Sequence, residues 1–151
     1  MPAPIPPAEP PGLDDFLCFT IYSTSHAFNR VYKPLLDALG LTYPQYLVLV
    51  ALWAEDGQTV GGLGEKLFLE SNTLTPLLKR LEALGHVTRH RDPADERQVR
   101  VRLTEQGQTL QKRACNVPHS ILEASGLSRE SLRRLQGEIA ALRERLRASI
   151  G

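Results

Sequence analysis

The hydrophobic positions recur at a helical period over most of the chain and at a period of two only once. Leu17, Ile21, Phe28, Val31, Leu35 and Leu39 fall mostly three or four residues apart, the spacing that stacks side chains on one helix face. Asp14 and Asp15 are placed to cap this helix, Pro34 is expected to kink or break it, and Gly40 to end it. Thr42-Tyr43-Pro44 opens a second helix, whose residues 46–53 are apolar nearly all round, as in a buried helix. After an Asp56-Gly57 turn, Thr59 can cap a short helix reaching Leu67. Leu74, Leu77, Leu78, Leu81 and Leu84 then share one face of a further helix. Pro76 should sit near its first turn, which puts the start at 71–73, and Gly85 is placed to end it.

The period changes at Val87. Val87, Arg89 and Arg91 alternate with Thr88 and His90, residues 98–103 alternate strictly, and the stretch between is turn-like. This predicts a β-hairpin with a charged tip. Thr104 caps a following helix, interrupted at 116–119 around Pro118. Beyond Ser128, Leu132, Leu135, Ile139, Leu142 and Leu146 recur at alternating steps of three and four, flanked by Arg and Glu. Such a stripe is a seam for a partner helix. Two short helices, a tight turn and a basic hairpin make a winged helix-turn-helix. The expected fold is mainly α with a small β-hairpin wing. A Pro-rich arm, disordered or extended, covers 1–12, and a single domain covers 13–151. Within it 59–103 is the winged helix-turn-helix, and 13–58 with 104–151 supply the flanking helices, among them the seam for dimerisation.

A chain of 151 residues, 42% hydrophobic and 23% charged, reads as one soluble globular unit. Its longest apolar run, residues 46–54, is too short to span a bilayer, and 1–12 lacks the basic and apolar regions of a secretory signal. Two cysteines make no disulfide framework, which points to a cytoplasmic, reducing compartment. The net charge of +1 excludes a uniformly basic coat, but charge is unevenly placed. Residues 1–60 carry two cations against six acids, whereas 79–102 carry seven cations against four. That basic segment either meets a local anionic partner or is a solvated face.

If the leucines of the second helix of the pair face inward, Asn72, Thr73, Thr75, Lys79 and Arg80 face outward, with Ser71 at the helix start. Hydroxyls and amides can take phosphates or base edges, and cations neutralise phosphates. Arg91 and Arg97 extend this candidate DNA-binding set onto the hairpin. Asp95 can hold the Arg97 guanidinium for a narrow minor groove. The bland alternatives are a plain hairpin salt bridge for Arg97 and helix capping for the threonines. The histidines show no ligand spacing with cysteine and read as surface residues, so neither metal nor cofactor is expected. The Gly61-Gly62-Leu63-Gly64 run lacks the preceding strand of a phosphate loop. Cys18 lies in about the first turn of the first helix, where unpaired N–H groups and the helix dipole favour a thiolate, opposed by the aspartates. Tyr22, Tyr32, Tyr43 and Tyr46 all fall in the N-terminal third, and phenol hydroxyls can hydrogen-bond a thiolate. Taken without more, Cys18 can equally be a buried, inert residue.

The segments LCFTIYSTS, YKPLLDALGLTYPQYLVLVALW, LTPLLKRLE, DERQVRVRLTEQG and VPHSIL resemble the MarR family of winged-helix regulators, within it the organic hydroperoxide resistance regulator (OhrR) subgroup, over about residues 13–150. The resemblance implies a MarR-like homodimer that binds a palindromic double-stranded DNA operator and represses a peroxidase gene. It implies that Cys18 is the redox-sensing residue for organic hydroperoxide, with Tyr32, Tyr43 and Tyr22 as its hydrogen-bonding phenols. One departure stands out. Two-cysteine members carry a resolving cysteine shortly after VPxxIL, whereas 123–127 here read Glu-Ala-Ser-Gly-Leu and Cys115 precedes the motif. Either Cys115 resolves oxidised Cys18, or a low-molecular-weight thiol does so, which is the favoured reading. Two rival functions remain: a repressor released by a small phenolic ligand, and a thiol peroxidase, which would not need a basic wing.

Overall fold

A computed structural model of the chain describes residues 2–4 and 9–151. The arm expected over 1–12 lies partly outside the described residues, at 1 and 5–8; positions 2–4 and 9–12 carry neither helix nor strand. The elements are α1 (Leu17–Asp37), α2 (Tyr43–Ala54), β1 (Gln58–Thr59), α3 (Val60–Leu67), α4 (Ser71–Ala83), β2 (Val87–Arg91), β3 (Val99–Leu103), α5 (Glu105–Arg113), α6 (Val117–Ser125) and α7 (Arg129–Ile150).

Short polar side chains set the helix starts. Thr42 and Gln45 cap α2 reciprocally, each side chain accepting from the other's backbone N–H. Thr59, Thr104 and Ser128 cap α3, α5 and α7 by accepting from Gly62, Gly107 and Ser131. Gly85, at φ +87°, closes α4, with the His86 N–H donating to the Leu81 carbonyl.

Four local expectations change. Asp14 and Asp15 do not cap α1. They form a 3-10 turn, Leu13–Asp15, in which the Asp15 carboxylate accepts from Gly12 N–H, and Phe16 becomes the N-cap without a side-chain bond. Pro34 does not break α1, which continues to Asp37; burial of Leu36 against the core holds the last turn despite the missing N–H. Pro76 is the sixth residue of α4, in its second turn, because the helix starts as early as Ser71. The interruption expected at 116–119 falls at 114–116, and Pro118 is the second residue of α6, where its missing donor has no ladder partner to lose.

The wing is a three-stranded antiparallel sheet in the order β1-β3-β2. In the hairpin Val87 faces Leu103 and Arg91 faces Val99; β1, which the sequence pattern does not announce, sets Gln58 opposite Val101. The centre of the core is α2. Its Val48, Leu49 and Leu52 are fully buried against Leu36 of α1, Leu63 of α3, the Leu74, Leu78 and Leu81 face of α4, and Val101 of the wing. Leu84, expected on that face, is exposed because it is the C-cap beyond the last turn of α4. No residue of α7 is buried. Leu135, Ile139 and Leu146 stay exposed, as do Leu17, Tyr22 and Phe28 of α1. Among the described residues no helix is long and apolar enough to cross a membrane.

Candidate functional site

With Leu74, Leu78 and Leu81 turned into the core, α4 presents Ser71, Asn72, Thr73, Lys79 and Arg80 to solvent, while Thr75 is half-buried. Between α4 and the wing runs a cleft lined by Ser71, Thr75, Thr59, Gly61, Arg97 and Gln98. Thr59, Gly61 and Gln98 lie outside the DNA-binding set read from the sequence. Thr59 and Gly61 reach the cleft because β1 anchors the start of α3 to the wing, and a two-residue strand leaves no periodic signal.

At the wing tip Arg97 is 90% exposed, yet its guanidinium is held. Its Nε donates to Asp95 Oδ1 at 3.0 Å and its Nη2 to Oδ2 at 3.3 Å. These bonds, with the Arg97 backbone N–H, keep the Asp95 carboxyl below the usual carboxylate range. Arg91 donates to the Glu96 carbonyl at 3.0 Å. The base of the wing rests on Asp92, a buried acid that sequence reasoning treated only as part of a turn. Its Oδ1 accepts from Ala94 N–H at 2.9 Å, and its Oδ2 accepts from Arg100 Nε, also at 2.9 Å. The Ala94 N–H first, then the Arg100 guanidinium, hold its carboxyl low. Arg100 also donates to the Gly57 carbonyl at 2.7 Å, tying the hairpin to the turn after α2. Arg89 pairs with Glu82 of α4 at 3.1 Å. Arg89 and Arg100 therefore serve the fold, and Lys79, Arg80, Arg91, Arg97 and Arg102 are left exposed, with Arg97 lining the cleft.

Cys18 is exposed and is the second residue of α1. Tyr22 lies one turn on, exposed, edge-on to the ring of His26 at 4.5 Å. Tyr32, half-buried, packs on Tyr43 at 4.7 Å and on Tyr46 at 6.0 Å between ring centres. Burial, with Tyr43 and Tyr46 beside it, pushes the Tyr32 phenol up to about 12; burial raises Tyr43 and Tyr46 as well. All three therefore stay protonated donors at neutral pH. Of the phenols expected to serve Cys18, Tyr22 is its neighbour along α1, whereas Tyr32, with Tyr43 packed on it, does not reach it within one chain. Cys18 and Tyr32 stand on the same helix, fourteen residues apart by number, which is about 21 Å of helical rise.

An open apolar groove of about 830 Å³ runs between α1 and α7, lined by Leu17, Ile21, Phe28, Tyr32, Tyr43 and Ile139, among others. Cys115 is exposed, in the turn between α5 and α6. His86, expected at the surface, is buried where α4, β2 and α5 meet, with its Nδ1 3.3 Å from Gln106 Nε2. Burial first, then Arg113, push it below its ordinary value. Its position at a helix-to-strand junction carries no periodic signal, so its burial was not visible beforehand. His26, His90 and His119 are exposed, and no group of three or more metal-ligating side chains occurs among the described residues.

The family described as transcriptional regulator SarA/Rot matches residues 30–113. The HTH-type transcriptional regulator TtmR of Methylorubrum extorquens (strain PA1) is 48% identical over 143 residues, covering 95% of this chain and 73% of that protein. The organic hydroperoxide resistance transcriptional regulator of Bacillus subtilis (strain 168) is 46% identical over 134 residues, covering 89% and 91%. Among solved structures, reduced AbfR bound to DNA aligns with a TM-score of 0.77 at 39% identity, covering 92% of this chain and 95% of that one. AbfR, a Staphylococcus epidermidis protein, aligns in its disulfide-formed state with a TM-score of 0.60 at 40% identity, covering 91% and 92%. With a winged helix-turn-helix fold and identities of this order over nearly its full length, the chain belongs to the MarR/SarA family of winged-helix transcriptional regulators, in its organic hydroperoxide resistance subgroup.

Proposed function

We propose that this protein is a DNA-binding repressor that works as a homodimer and senses organic hydroperoxides through Cys18. The observation that carries the reading is the separation of Cys18 from Tyr32 and Tyr43. Cys18 is exposed at one end of α1, and Tyr32 and Tyr43 stand at the other, in a groove that the chain itself does not fill. A two-fold axis crossing α1 near Ser25 sets residue 18 of each copy opposite residue 32 of the other, and one operation then completes two sensor sites. The same pairing covers the apolar faces of α1 and α7.

In that site the Cys18 thiolate attacks the outer oxygen of a hydroperoxide. The O–O bond breaks, the sulfur gives up two electrons and becomes a sulfenic acid, and the alkoxide leaves as an alcohol after taking a proton. The protonated phenols donate to the thiolate before the reaction. A low-molecular-weight thiol then condenses with the sulfenic acid, forming a disulfide and releasing water. Cys115 is the alternative resolving thiol. The bulkier, uncharged sulfur displaces the phenols, and the two reading helices lose the spacing of the operator half-sites. In the DNA-bound state α4 enters the major groove with Ser71, Asn72, Thr73, Thr75, Lys79 and Arg80, while Arg91 and Arg97 follow the wing, Arg97 braced by Asp95. The similar proteins are regulators rather than enzymes, and here one oxidation is one switching event.

A second reading, release by a small phenolic ligand, is favoured by the groove volume, which falls in the range of small-molecule sites. The chemistry at Cys18 separates the two. Treatment of reduced protein with one equivalent of cumene hydroperoxide, dimedone trapping and peptide mass spectrometry should find the adduct on Cys18. A protein that stays unmodified at Cys18 while losing its DNA contradicts the proposal.

A further inference from the structure

The tyrosine cluster does not end at the groove. Tyr43 and Tyr46 stand in the first turn of α2, and Trp53 stands near its end on the face shared with Tyr46, the two rings meeting edge-on at 6.2 Å. On its other side the Trp53 indole Nε1–H donates to the Gly107 carbonyl in the first turn of α5, at 2.9 Å. That turn of α5 grips the end of the reading helix. Gln106 Nε2 donates to the Leu84 carbonyl at 3.0 Å, Thr104 Oγ1 to the Gly85 carbonyl at 2.6 Å, and Thr104 N–H to the His86 carbonyl at 3.0 Å. Gly107 lies so close to this junction that a Cβ there would run into the His86 carbonyl oxygen. Close-packed contacts of this kind pass a displacement on, because neither side has room to absorb it.

We propose that Trp53 is the positioning residue that couples the tyrosine cluster to the reading helix, through its ring against Tyr46 and its indole N–H on the Gly107 carbonyl. The inference rests on Cys18 being the sensor. Tyr32 and Tyr46 pass a displacement to Trp53, Trp53 passes it to the first turn of α5, and α5 carries the C-terminal end of α4 with it. A double contact of this kind gives Trp53 a role in switching that it does not have in reading DNA, since it stands on α2 with its indole bonded to α5 and does not line the cleft between α4 and the wing.

The test compares wild type with Trp53→Phe, which keeps an aromatic ring against Tyr46 and removes the donor. Fluorescence anisotropy follows a labelled duplex selected from random sequence by the reduced wild-type protein, before and after cumene hydroperoxide with added cysteine. Trp53→Phe should bind as wild type when reduced, form the Cys18 sulfenate at the wild-type rate, and keep its DNA after oxidation. The ratio of oxidised to reduced Kd should shrink at least about tenfold from wild type, within the usual range of coupling between sites. Trp53 is the sole tryptophan, so oxidation of wild type should also shift its emission, and this readout stands even if the variant does not fold. An unchanged Kd ratio in Trp53→Phe, equal weakening in both redox states, or unshifted emission in wild type that does release DNA overturns the relay alone. Wild type that holds its DNA after oxidation removes the sensing reading, and the relay with it.

Discussion

Arg97 is almost fully exposed, yet two bonds to Asp95 fix its guanidinium. An arginine arranged in advance loses less rotamer freedom on entering a groove than a free one. Arg97→Ala should therefore weaken operator binding by about 1–3 kcal/mol and relax preference at the base pairs under the wing. Lys79, exposed on α4 with no ion pair among the described residues, fits a phosphate contact. Lys79→Ala should weaken binding evenly across sequences and lower the slope of log affinity against log salt by about 1. Salt-dependent titrations of both variants check this, and wild-type behaviour in both contradicts the proposed DNA face. The Asp95–Arg97 pair was legible beforehand because the partners sit two residues apart in one turn. The Asp92–Arg100–Gly57 tie was not, since Arg100 reaches 43 residues back to the Gly57 carbonyl and alternation alone does not reveal such a partner.

The elements were mostly legible, because most helices carry an apolar stripe, and α2, α3, α5 and α7 carry a side-chain cap as well. Thr42, Thr59, Thr104 and Gly85 do what their chemistry suggests. What failed was the weight given to residues whose effect depends on packing. Pro34 and Pro76 are tolerated because buried leucines hold the turns around them, and β1 exists only because β3 offers it an edge. The junction of α4, β2 and α5 belongs to the same class. His86 is buried there with its proton affinity lowered, first by burial and then by Arg113. The unfolded chain therefore binds a proton at His86 more readily than the fold does, and stability rises with pH in that range. The contribution is complete above the ordinary value of 6.5 and is lost as pH falls from there through the lower folded value. Glu82, Asp92 and Asp95 are all held below the usual carboxylate range by their partners. Melting curves from about pH 7.5 to 5 should show a fall in Tm that His86→Gln flattens relative to wild type. Parallel curves for the two proteins contradict a buried, hard-to-protonate His86.

Across the whole molecule, the stripe on α7 announced a partner from the sequence, and the structure shows that no residue of α7 is buried by its own chain. The proposed division of the sensor between two copies was not legible, because it depends on where Tyr43 meets Tyr32 across the α1–α2 packing. A surface of this kind should make the protein an obligate dimer; sedimentation equilibrium at micromolar concentration should find no folded monomer, and a folded monomer contradicts the shared site. The dimer matters because two α4 helices must meet two half-sites at once, so a change at each Cys18 acts on both. The most direct measurement is anisotropy of a palindromic operator duplex with reduced and cumene hydroperoxide-treated protein, for wild type and for Cys18→Ser. Oxidation should lower the affinity of wild type by about one to two orders of magnitude and leave Cys18→Ser bound. Release of Cys18→Ser to the same extent, or retention by wild type, would contradict the account.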